Sequence, residues 1–497
     1  MGRRLSISKA ILDLSSSSGN FESMSRRPLV VDLDGTLFLG DSAWENLRIL
    51  LLKKPRRIPQ AIFYFLRGRA SLKCWLYNEV GAERELPALR PEVVRVVQEG
   101  KAEGRPVHLV SGAPHLLVIR AARRLGLKAK DKHWGSTPGR NVTTTKADFL
   151  NEQFGRGKYD YWGDRQVDLP IFACADRGAV VGARPDLVQR ALAANPRLQV
   201  LAPHPPLGFS VWKGLRPHQW VKNLLLLVPL LSAHAWDQPH QWLWAFAGMA
   251  AFSFLSSAVY LLNDLHDLEV DRIHPLKKTR PLASGELQIP EGLTMAGLLL
   301  VAAFGVAWFL GQNFFFCAAT YWGMALFYNG WAKSQAGLDL IVLAAFYTLR
   351  ILAGGAATEI VCSPWLLGYA IFLFLSLACV KRVSELQRLQ GEKKRHAGGR
   401  GYAVEDLGAM TAIGIASGVV SVLVAALYVN SADVRNLYVR PQVLWLLSPV
   451  LFYWIIRIWL KTLRAQMPED PVLFALKDRA SWLLLALALV IGALASH

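Results

Sequence analysis

The pattern of apolar and polar positions changes once along the chain, near residue 210. Before that point the apolar runs are short and interrupted by charged residues, as in a water-soluble α/β domain. After it come long apolar runs such as 242–262 and 366–380, which suit a bilayer about 30 Å thick. The sequence therefore predicts an α/β domain followed by an all-α membrane bundle.

The apolar runs predict nine transmembrane helices. They lie approximately at residues 221–236, 242–262, 292–311, 313–329, 337–357, 364–380, 409–429, 442–460 and 481–496. The loops on the side of the N-terminal domain contain 17 Lys and Arg residues, and the opposite loops contain only Arg435 and Arg440. Because basic loops remain on the cytoplasmic side, we expect a bacterial inner-membrane protein whose N-terminal domain faces the cytoplasm.

Composition refines this division of the chain. Residues 1–26 contain no continuous apolar core of a signal peptide and are expected to be disordered. A proline-rich stretch predicts a linker at 196–212, between a domain at 27–195 and the bundle at 213–497. The net charge of +19 is largely explained by the basic loops, so nucleic-acid binding is not required. Five Cys without paired spacing indicate packing residues in a reducing compartment.

Three predicted strands of the first domain end in residues suited to phosphate chemistry. The strand at 28–33 contains Asp32 and is followed by Asp34, the strand at 106–110 is followed by Ser111, and the strand at 159–162 is followed by Asp164. The carboxyl ends of parallel strands lie at one edge of a sheet, where ligands bind. Carboxylates suit Mg²⁺, and the hydroxyl of Ser111 together with Lys146 suits phosphate oxygens.

This order of motifs resembles the haloacid-dehalogenase superfamily across residues 27–195. The resemblance implies a Rossmann-like fold with a small helical cap over 43–90. It implies Asp32 as a nucleophile that forms an aspartyl-phosphate, and Asp34 as general acid and then base. It also implies Ser111 and Lys146 as phosphate ligands, and a Mg²⁺ site of Asp32, Asp34 and Asp164 supported by Asp168. An inert pseudo-phosphatase is the alternative.

An Asp-rich segment follows the second apolar run of the bundle. On a continuous helix, Asp264, Asp267 and Asp271 would fall within a sector of about 60°. Three carboxylates on one stripe repel one another unless cations neutralise them, and oxygen ligands favour Mg²⁺. Basic residues suited to phosphate oxygens follow directly, namely His274, Lys277, Lys278 and Arg280. The alternative is a solvated helix end with positive-inside charges.

The second half resembles the UbiA superfamily of membrane transferases over residues 213–496. Within that superfamily it is similar to the decaprenyl-phosphate phosphoribosyltransferases. The resemblance rests on Arg216-Pro217, Gln219-Trp220, Lys222-Asn223, the run 263–285 beginning at Asn263, Lys381-Arg382 with Glu385, Arg400-Gly401-Tyr402 and the tail 469–479. The second Asp-rich motif of the superfamily's aromatic prenyltransferases is incomplete, since Tyr328, Lys333 and Asp339 are followed by Leu343. Arg350 lies in a span, as a phosphate ligand or as part of a structural ion pair.

The resemblance implies transfer of 5-phosphoribose from phosphoribosyl pyrophosphate to a polyprenyl phosphate. Asp264, Asp267 and Asp271 would hold Mg²⁺ on the pyrophosphate. The candidate substrate-binding residues of the bundle are Lys222, Asn223, Asn263, Arg272, Lys277, Lys278, Arg280, Tyr328, Lys333, Asp339, Arg350, Lys381 and Arg382. The phosphatase would then remove the 5-phosphate of the product.

Two other functions remain open from the sequence. An aromatic prenyltransferase that uses a prenyl diphosphate would need the same Asp-rich segment. A transporter or membrane scaffold with a regulatory phosphatase domain would leave the clustered carboxylates unexplained. The sequence does not indicate the polyprenol length, and it is compatible with a homo-oligomer.

Overall fold

The computed structural model describes residues 27–127, 132–235, 237–391, 401–431, 434, 437–468 and 470–496. The described residues form two compact units, and the first contains those up to Val211 together with Asp264–Gly292. The second contains Trp212–Asn263 and Leu293–His497. The Asp-rich segment lies within the first unit, whereas the sequence analysis placed it in the domain at 213–497. The predicted disordered segment 1–26, Arg400, Arg435 and Glu469 lie outside the described residues.

One parallel sheet of six strands is the centre of the first unit, with the strand order β3-β2-β1-β4-β5-β6. The strands are β1 (Leu29–Val31), β2 (Val107–Pro114), β3 (Trp134–Ser136), β4 (Asp160–Gly163), β5 (Gly178–Val181) and β6 (Leu198–Leu201). Side chains of β1 alternate between two apolar layers, since Leu29 and Val31 pack on one face and Val30 packs on the other. A strand buried on both faces is a continuous apolar run, and β1 is one.

Helices cover the sheet and form the predicted helical cap. The cap helices are α1 (Ser42–Lys53), α2 (Ile58–Leu66) and α3 (Arg69–Leu76). The helices that connect the strands are α4 (Pro91–Ala102), α5 (His115–Arg124), α6 (Val142–Phe154), α7 (Leu169–Cys174) and α8 (Pro185–Ala194). All three strands predicted from the sequence are confirmed. Lys146 lies inside α6.

The predicted linker contains regular structure. Strand β6 pairs in register with β5, from Gly178 opposite Leu198 to Val181 opposite Leu201. Helix α9 (Leu207–Leu215) follows after a short segment. The sheet therefore continues past residue 195. The sequence did not predict this strand, because a short apolar strand on the edge of a sheet gives little signal beside nearby prolines.

All named secondary-structure elements in the described residues of the second unit are helices. A tight 3₁₀ helix, Pro217–Leu227, leads into α10 (Val228–Ser232) and then α11 (Pro239–His266), whose last turn belongs to the first unit. Two short helices of the first unit follow, α12 (Leu268–Ile273) and α13 (Pro281–Ser284). The remaining helices are α14 (Ile289–Phe309), α15 (Gln312–Gly330), α16 (Leu338–Thr358), α17 (Pro364–Gly391), α18 (Leu407–Val429), α19 (Leu447–Leu463), α20 (Pro471–Lys477) and α21 (Arg479–Ser496).

Seven helices of the described part of the chain are long and apolar enough to cross a membrane. Two of the nine predicted spans are not confirmed. The segment at 221–236 contains the 3₁₀ helix and the short α10, where Pro229 lies in the first turn. The segment at 313–329 is the helix α15, in which polar and aromatic residues dilute the aliphatic side chains. The multi-pass helical character of this half is confirmed.

Candidate functional site

Asp32 and Asp34 lie at the carboxyl end of β1, in a wide turn formed by Leu33–Leu37. Asp32 caps this turn, because its carboxylate accepts a hydrogen bond of 2.7 Å from the backbone N–H of Leu33. Gly35 has φ +82°, and a Cβ there would lie 1.9 Å from Oδ2 of Asp164. Glycine is therefore required both by the backbone conformation and by the approach of the third carboxylate.

A buried lysine joins two of the carboxylates. Nζ of Lys146 lies 2.6 Å from Oδ2 of Asp32 and 3.2 Å from Oδ1 of Asp168. Burial lowers the pKa of Lys146, but Asp168 and Asp32 outweigh burial and raise it above its usual value. Lys146 therefore stays charged. Asp168 is further fixed by hydrogen bonds from the Tyr161 hydroxyl at 2.7 Å and the Arg165 backbone N–H at 3.1 Å.

Three carboxylates form a cluster that fits a divalent cation. One oxygen each from Asp32, Asp164 and Asp168 lies within 4.8 Å of the other two. Hard oxygen ligands of this kind suit Mg²⁺. The carboxylate of Asp34, which was also predicted as a ligand, accepts a hydrogen bond of 2.9 Å from the Ser42 N–H instead.

Burial gives the carboxyl groups of this site unusual proton affinities. It raises the pKa of Asp34 to about 7, and the nearby Asp41 carboxylate adds to that effect. Burial also raises the pKa of Asp164 to about 8 against the opposing charge of Arg165. Asp41 is the contrary case, because Arg165 and Lys73 outweigh burial and lower its pKa. Asp34 can therefore carry a proton near neutral pH, as a general acid must.

The cleft over these residues contains four side chains that were not predicted as site residues from the sequence, namely Lys73, Thr143, Arg165 and Val167. It is lined by Asp32, Asp34, Lys73, Ser111, Gly112, Thr143, Lys146, Arg165 and Val167. Arg165 follows Asp164 directly, and its position in the sequence could therefore have identified it as a residue of the cleft. Lys73 is on cap helix α3 and is one of many basic residues there, so no sequence signal distinguished it. Ser111, the predicted phosphate ligand, is buried.

The Asp-rich segment does not form one continuous helix. Helix α11 ends at His266 and α12 begins at Leu268, so the chain bends at Asp267, where ψ is +10°. The prediction of a single helical stripe is therefore wrong. Asp264 and Asp271 nevertheless lie close together on either side of the bend. Nη1 of Arg280 contacts both carboxylates, and it lies 3.0 Å from Oδ1 of Asp264.

Asp267 has a different neighbour in this segment. Its carboxylate lies 2.8 Å from Nδ1 of His266 and is partly exposed. Among the residues that the structure describes, no cluster of three metal-ligating groups includes Asp264, Asp267 or Asp271. Lys277 and Lys278 lie on the 3₁₀ turn that precedes Arg280.

A buried polar network in the second unit joins two predicted substrate-binding residues, Arg350 and Asn223. Arg350 donates hydrogen bonds to the Asn223 side chain, the Tyr321 hydroxyl and the Phe346 carbonyl oxygen, all within 2.9 Å. Asn223 in turn donates to the Ser253 hydroxyl at 3.0 Å. The described partners of Arg350 are neutral, which favours neither of the two roles predicted for it.

Other predicted residues of the bundle form two ion pairs. Nζ of Lys222 lies 2.6 Å from Oδ2 of Asp470. Asp339 is completely buried, and it contacts both the guanidinium of Arg382 and the hydroxyl of Tyr402. Of the remaining predicted residues, Asn263 and Tyr328 lie in the last turns of α11 and α15, Lys333 lies in the 3₁₀ turn Ala332–Ser334, and Lys381 lies inside α17.

These observations define an integral multi-pass membrane protein fused to a phosphatase-like α/β domain. The chain belongs to the UbiA prenyltransferase family, whose model matches residues 224–477. The model of the haloacid dehalogenase-like hydrolases matches residues 29–173. Both resemblances drawn from the sequence are therefore confirmed.

Similar proteins come from several organisms. An uncharacterized protein of Sinorhizobium fredii, y4nM, is 32% identical over 93% of this chain and 89% of its own length. A decaprenyl-phosphate phosphoribosyltransferase of Mycolicibacterium smegmatis is 36% identical over 35% of this chain, which spans 56% of that protein. The structure of a UbiA homolog from Archaeoglobus fulgidus bound to GPP and Mg²⁺ covers 57% of this chain and 99% of its own, with 17% identity and a TM-score of 0.45.

Proposed function

We propose that this enzyme transfers 5-phosphoribose from phosphoribosyl pyrophosphate to a polyprenyl phosphate and then removes the 5-phosphate. The product would be a polyprenyl-phosphoryl ribose, a lipid-linked pentosyl donor. The observation that carries this proposal is the cluster of Asp32, Asp164 and Asp168 in one compact unit with the Asp-rich segment. The similarity to proteins named decaprenyl-phosphate phosphoribosyltransferase supports the choice of substrates.

In the proposed transfer, a phosphate oxygen of the polyprenyl phosphate attacks the anomeric carbon of the ribose. The bond between that carbon and the pyrophosphate oxygen breaks, and pyrophosphate leaves with the electron pair. The nucleophile is already anionic, so positioning and charge neutralisation supply most of the rate enhancement. Mg²⁺, when bound, would neutralise the pyrophosphate. Asp264 and Asp271 would hold that cation, and Arg280, which contacts both, would contact phosphate oxygens.

In the proposed hydrolysis, a carboxylate oxygen of Asp32 attacks the phosphorus of the 5-phosphate. The bond between phosphorus and the ribose oxygen breaks, and Asp34 donates its proton to that oxygen. Asp34 then accepts a proton from the water that hydrolyses the aspartyl-phosphate. Lys146, held between Asp32 and Asp168, keeps the nucleophile oriented, and Ser111 would contact a phosphate oxygen. The carboxylates of Asp32 and Asp164 would hold Mg²⁺, with Asp168 as support.

The fusion of the two activities has a physical rationale. A phosphatase on the same chain meets the phosphorylated lipid at a raised effective concentration. The excess of basic residues in alternate loops supports placing both sites on the cytoplasmic side of a bacterial inner membrane. The acceptor lipid would then reach the transferase from the same bilayer.

Membranes given phosphoribosyl pyrophosphate labelled in the ribose provide the direct test of transfer. We expect label in the lipid phase with the wild-type enzyme and none with Asp264→Asn.

The family's prenyltransferase name favours a second candidate, transfer of a prenyl group from a prenyl diphosphate to an aromatic acceptor. Label that stays in the aqueous phase, together with prenylation of an added aromatic acceptor, would favour that candidate and contradict the proposal.

A further inference from the structure

Helix α1 of the cap begins at the phosphatase site. Its N-terminal residue Ser42 donates its backbone N–H to Oδ1 of Asp34 at 2.9 Å. The capping residue Asp41 accepts from the N–H of Ala43 and pairs with Arg165 at 2.7 Å. The first turn of α1 is therefore fixed by groups that line the phosphatase cleft.

The next turns of α1 contact the Asp-rich segment. Glu45 lies 2.8 Å from Nη1 of Arg272, and these side chains are only 4% and 7% exposed. Arg48 contacts Oε1 of Glu269 at 2.6 Å. Arg84, from the end of the cap, contacts the same oxygen at 2.5 Å. Burial of a matched pair such as Glu45 with Arg272 makes the loss of either partner costly.

Arg48 also contacts the backbone where α11 ends. It donates hydrogen bonds to the carbonyl oxygens of Leu265 at 3.0 Å and His266 at 3.3 Å. Carbonyl groups in the last turn of a helix lack partners within the helix, so this guanidinium stabilises the end of α11 before the bend at Asp267. That bend is what allows Asp264 and Asp271 to meet at Arg280.

Gly40 provides space for the Glu45–Arg272 pair. A Cβ at this position would lie 2.5 Å from Oε1 of Glu45 and 2.8 Å from Nη2 of Arg272. The backbone of Gly40 does not have the positive φ that side chains avoid. Alanine at this position would thus disturb the ion pair while leaving both charges in place.

We propose that α1 couples the phosphatase cleft to the Asp-rich segment, and that Glu45, Arg48 and Arg272 are positioning residues for phosphoribosyl transfer. The positioning role in phosphoribosyl transfer rests on the proposed function, whereas the coupling between the cleft and the segment does not. If the segment holds its binding conformation for only a fraction of the time, the apparent affinity for pyrophosphate falls by that fraction. Coupling is reciprocal, so a ligand in the phosphatase cleft should stabilise the segment.

Hydrogen–deuterium exchange of the full chain in detergent tests the coupling without requiring turnover. Orthovanadate with Mg²⁺ serves as the phosphate mimic in the cleft. Relative to Mg²⁺ alone, we expect it to slow exchange of peptides covering 264–273 at least threefold in the wild type, and not in Glu45→Gln or Gly40→Ala. The double variant Asp186→Asn/Arg190→Gln, which removes an exposed pair on α8, is the matched control and should behave as the wild type.

Kinetics then distinguish positioning from general destabilisation. We expect Arg272→Gln to raise the KM for phosphoribosyl pyrophosphate about tenfold with kcat within twofold, and the exchanged pair Glu45→Arg/Arg272→Glu to recover most of that loss. Equal exchange in all variants would overturn the coupling. An unaltered KM in Arg272→Gln would overturn the positioning role. If exchange follows the expectation but the wild type transfers no ribose, the proposed function fails and the coupling stands.

Discussion

Replacement of Arg280 by alanine should destabilise the Asp-rich segment when divalent cations are absent. Arg280 is 24% exposed, whereas the two carboxylates that it contacts, Asp264 and Asp271, are 4% and 2% exposed. Removal of the guanidinium leaves two buried carboxylates that repel each other. The loss of one member of a buried ion pair destabilises a protein by about 3–5 kcal/mol. Because Arg280 is partly exposed, we expect its loss to destabilise the segment by about 3 kcal/mol.

Exchange of backbone amides in residues 264–273 measures this local stability, because segments open independently of global unfolding. A loss of about 3 kcal/mol corresponds to roughly 100-fold faster exchange. Mg²⁺ should slow the exchange of Arg280→Ala far more than that of the wild type, since the cation takes over the role of the guanidinium. The control Arg190→Ala removes an exposed pair with Asp186 and should change little. Equal Mg²⁺ effects in Arg280→Ala and the wild type would refute the assignment of these carboxylates as cation ligands.

Three further changes test other parts of the structure. Gly35→Ala should abolish phosphatase activity toward a small phosphate ester, whereas Gly157→Ala, which has a similar positive φ but open space around it, should keep that activity; equal loss in both would contradict the contact with Asp164. Burial and the charges of Arg90 and Arg184 lower the pKa of His204 from 6.5 to about 4. The unprotonated form is therefore favoured in the folded state, and the free energy of unfolding should fall by up to about 3 kcal/mol as the pH drops from 6.5 to 4. Chemical denaturation across this range should show the fall in the wild type, and a His204→Gln variant with the same slope would contradict it. Arg382→Met should lower thermal stability more than Arg382→Met with Asp339→Asn, because only the single change leaves a buried charge unpaired; similar midpoints would contradict a structural role for this pair.

The phosphatase half shows how much a sequence can predict when its signals are local. The strand before Asp32 is a continuous apolar run, and carboxylates at strand ends of a parallel sheet must meet at one edge. The cluster of Asp32, Asp164 and Asp168 follows from that rule. Lys73 could not be predicted in the same way, because its place in the cleft depends on how the cap packs.

The Asp-rich segment shows where periodicity is insufficient. Spacing alone predicts a stripe on one helix, but the chain bends at Asp267. The contacts of Arg48 with two carbonyl oxygens at the bend come from a residue 217 and 218 positions away along the chain. No helical pattern within residues 264–271 contains that information. The convergence of Asp264 and Asp271 on Arg280 likewise depends on the fold.

For the membrane half, the sequence predicts the multi-pass helical architecture correctly, but it predicts nine spans where the described residues contain seven. Runs of aliphatic residues identify seven spans in the described part of the chain. The first and fourth predicted spans differ, because a window of hydropathy does not distinguish a 3₁₀ helix from an α-helix and does not weigh polar aromatic positions strongly. The polar network around Arg350 required the structure, since its partners come from separate helices.

One measurement tests the sequential action of the two sites most directly. Purified enzyme would receive polyprenyl phosphate and phosphoribosyl pyrophosphate carrying radioactive carbon in the ribose and radioactive phosphorus in the 5-phosphate. The wild-type lipid product should contain the carbon label without the phosphorus label, Asp32→Asn should accumulate lipid with both, and Asp264→Asn should give neither. Lipid that loses its phosphorus label equally fast in Asp32→Asn would contradict the account.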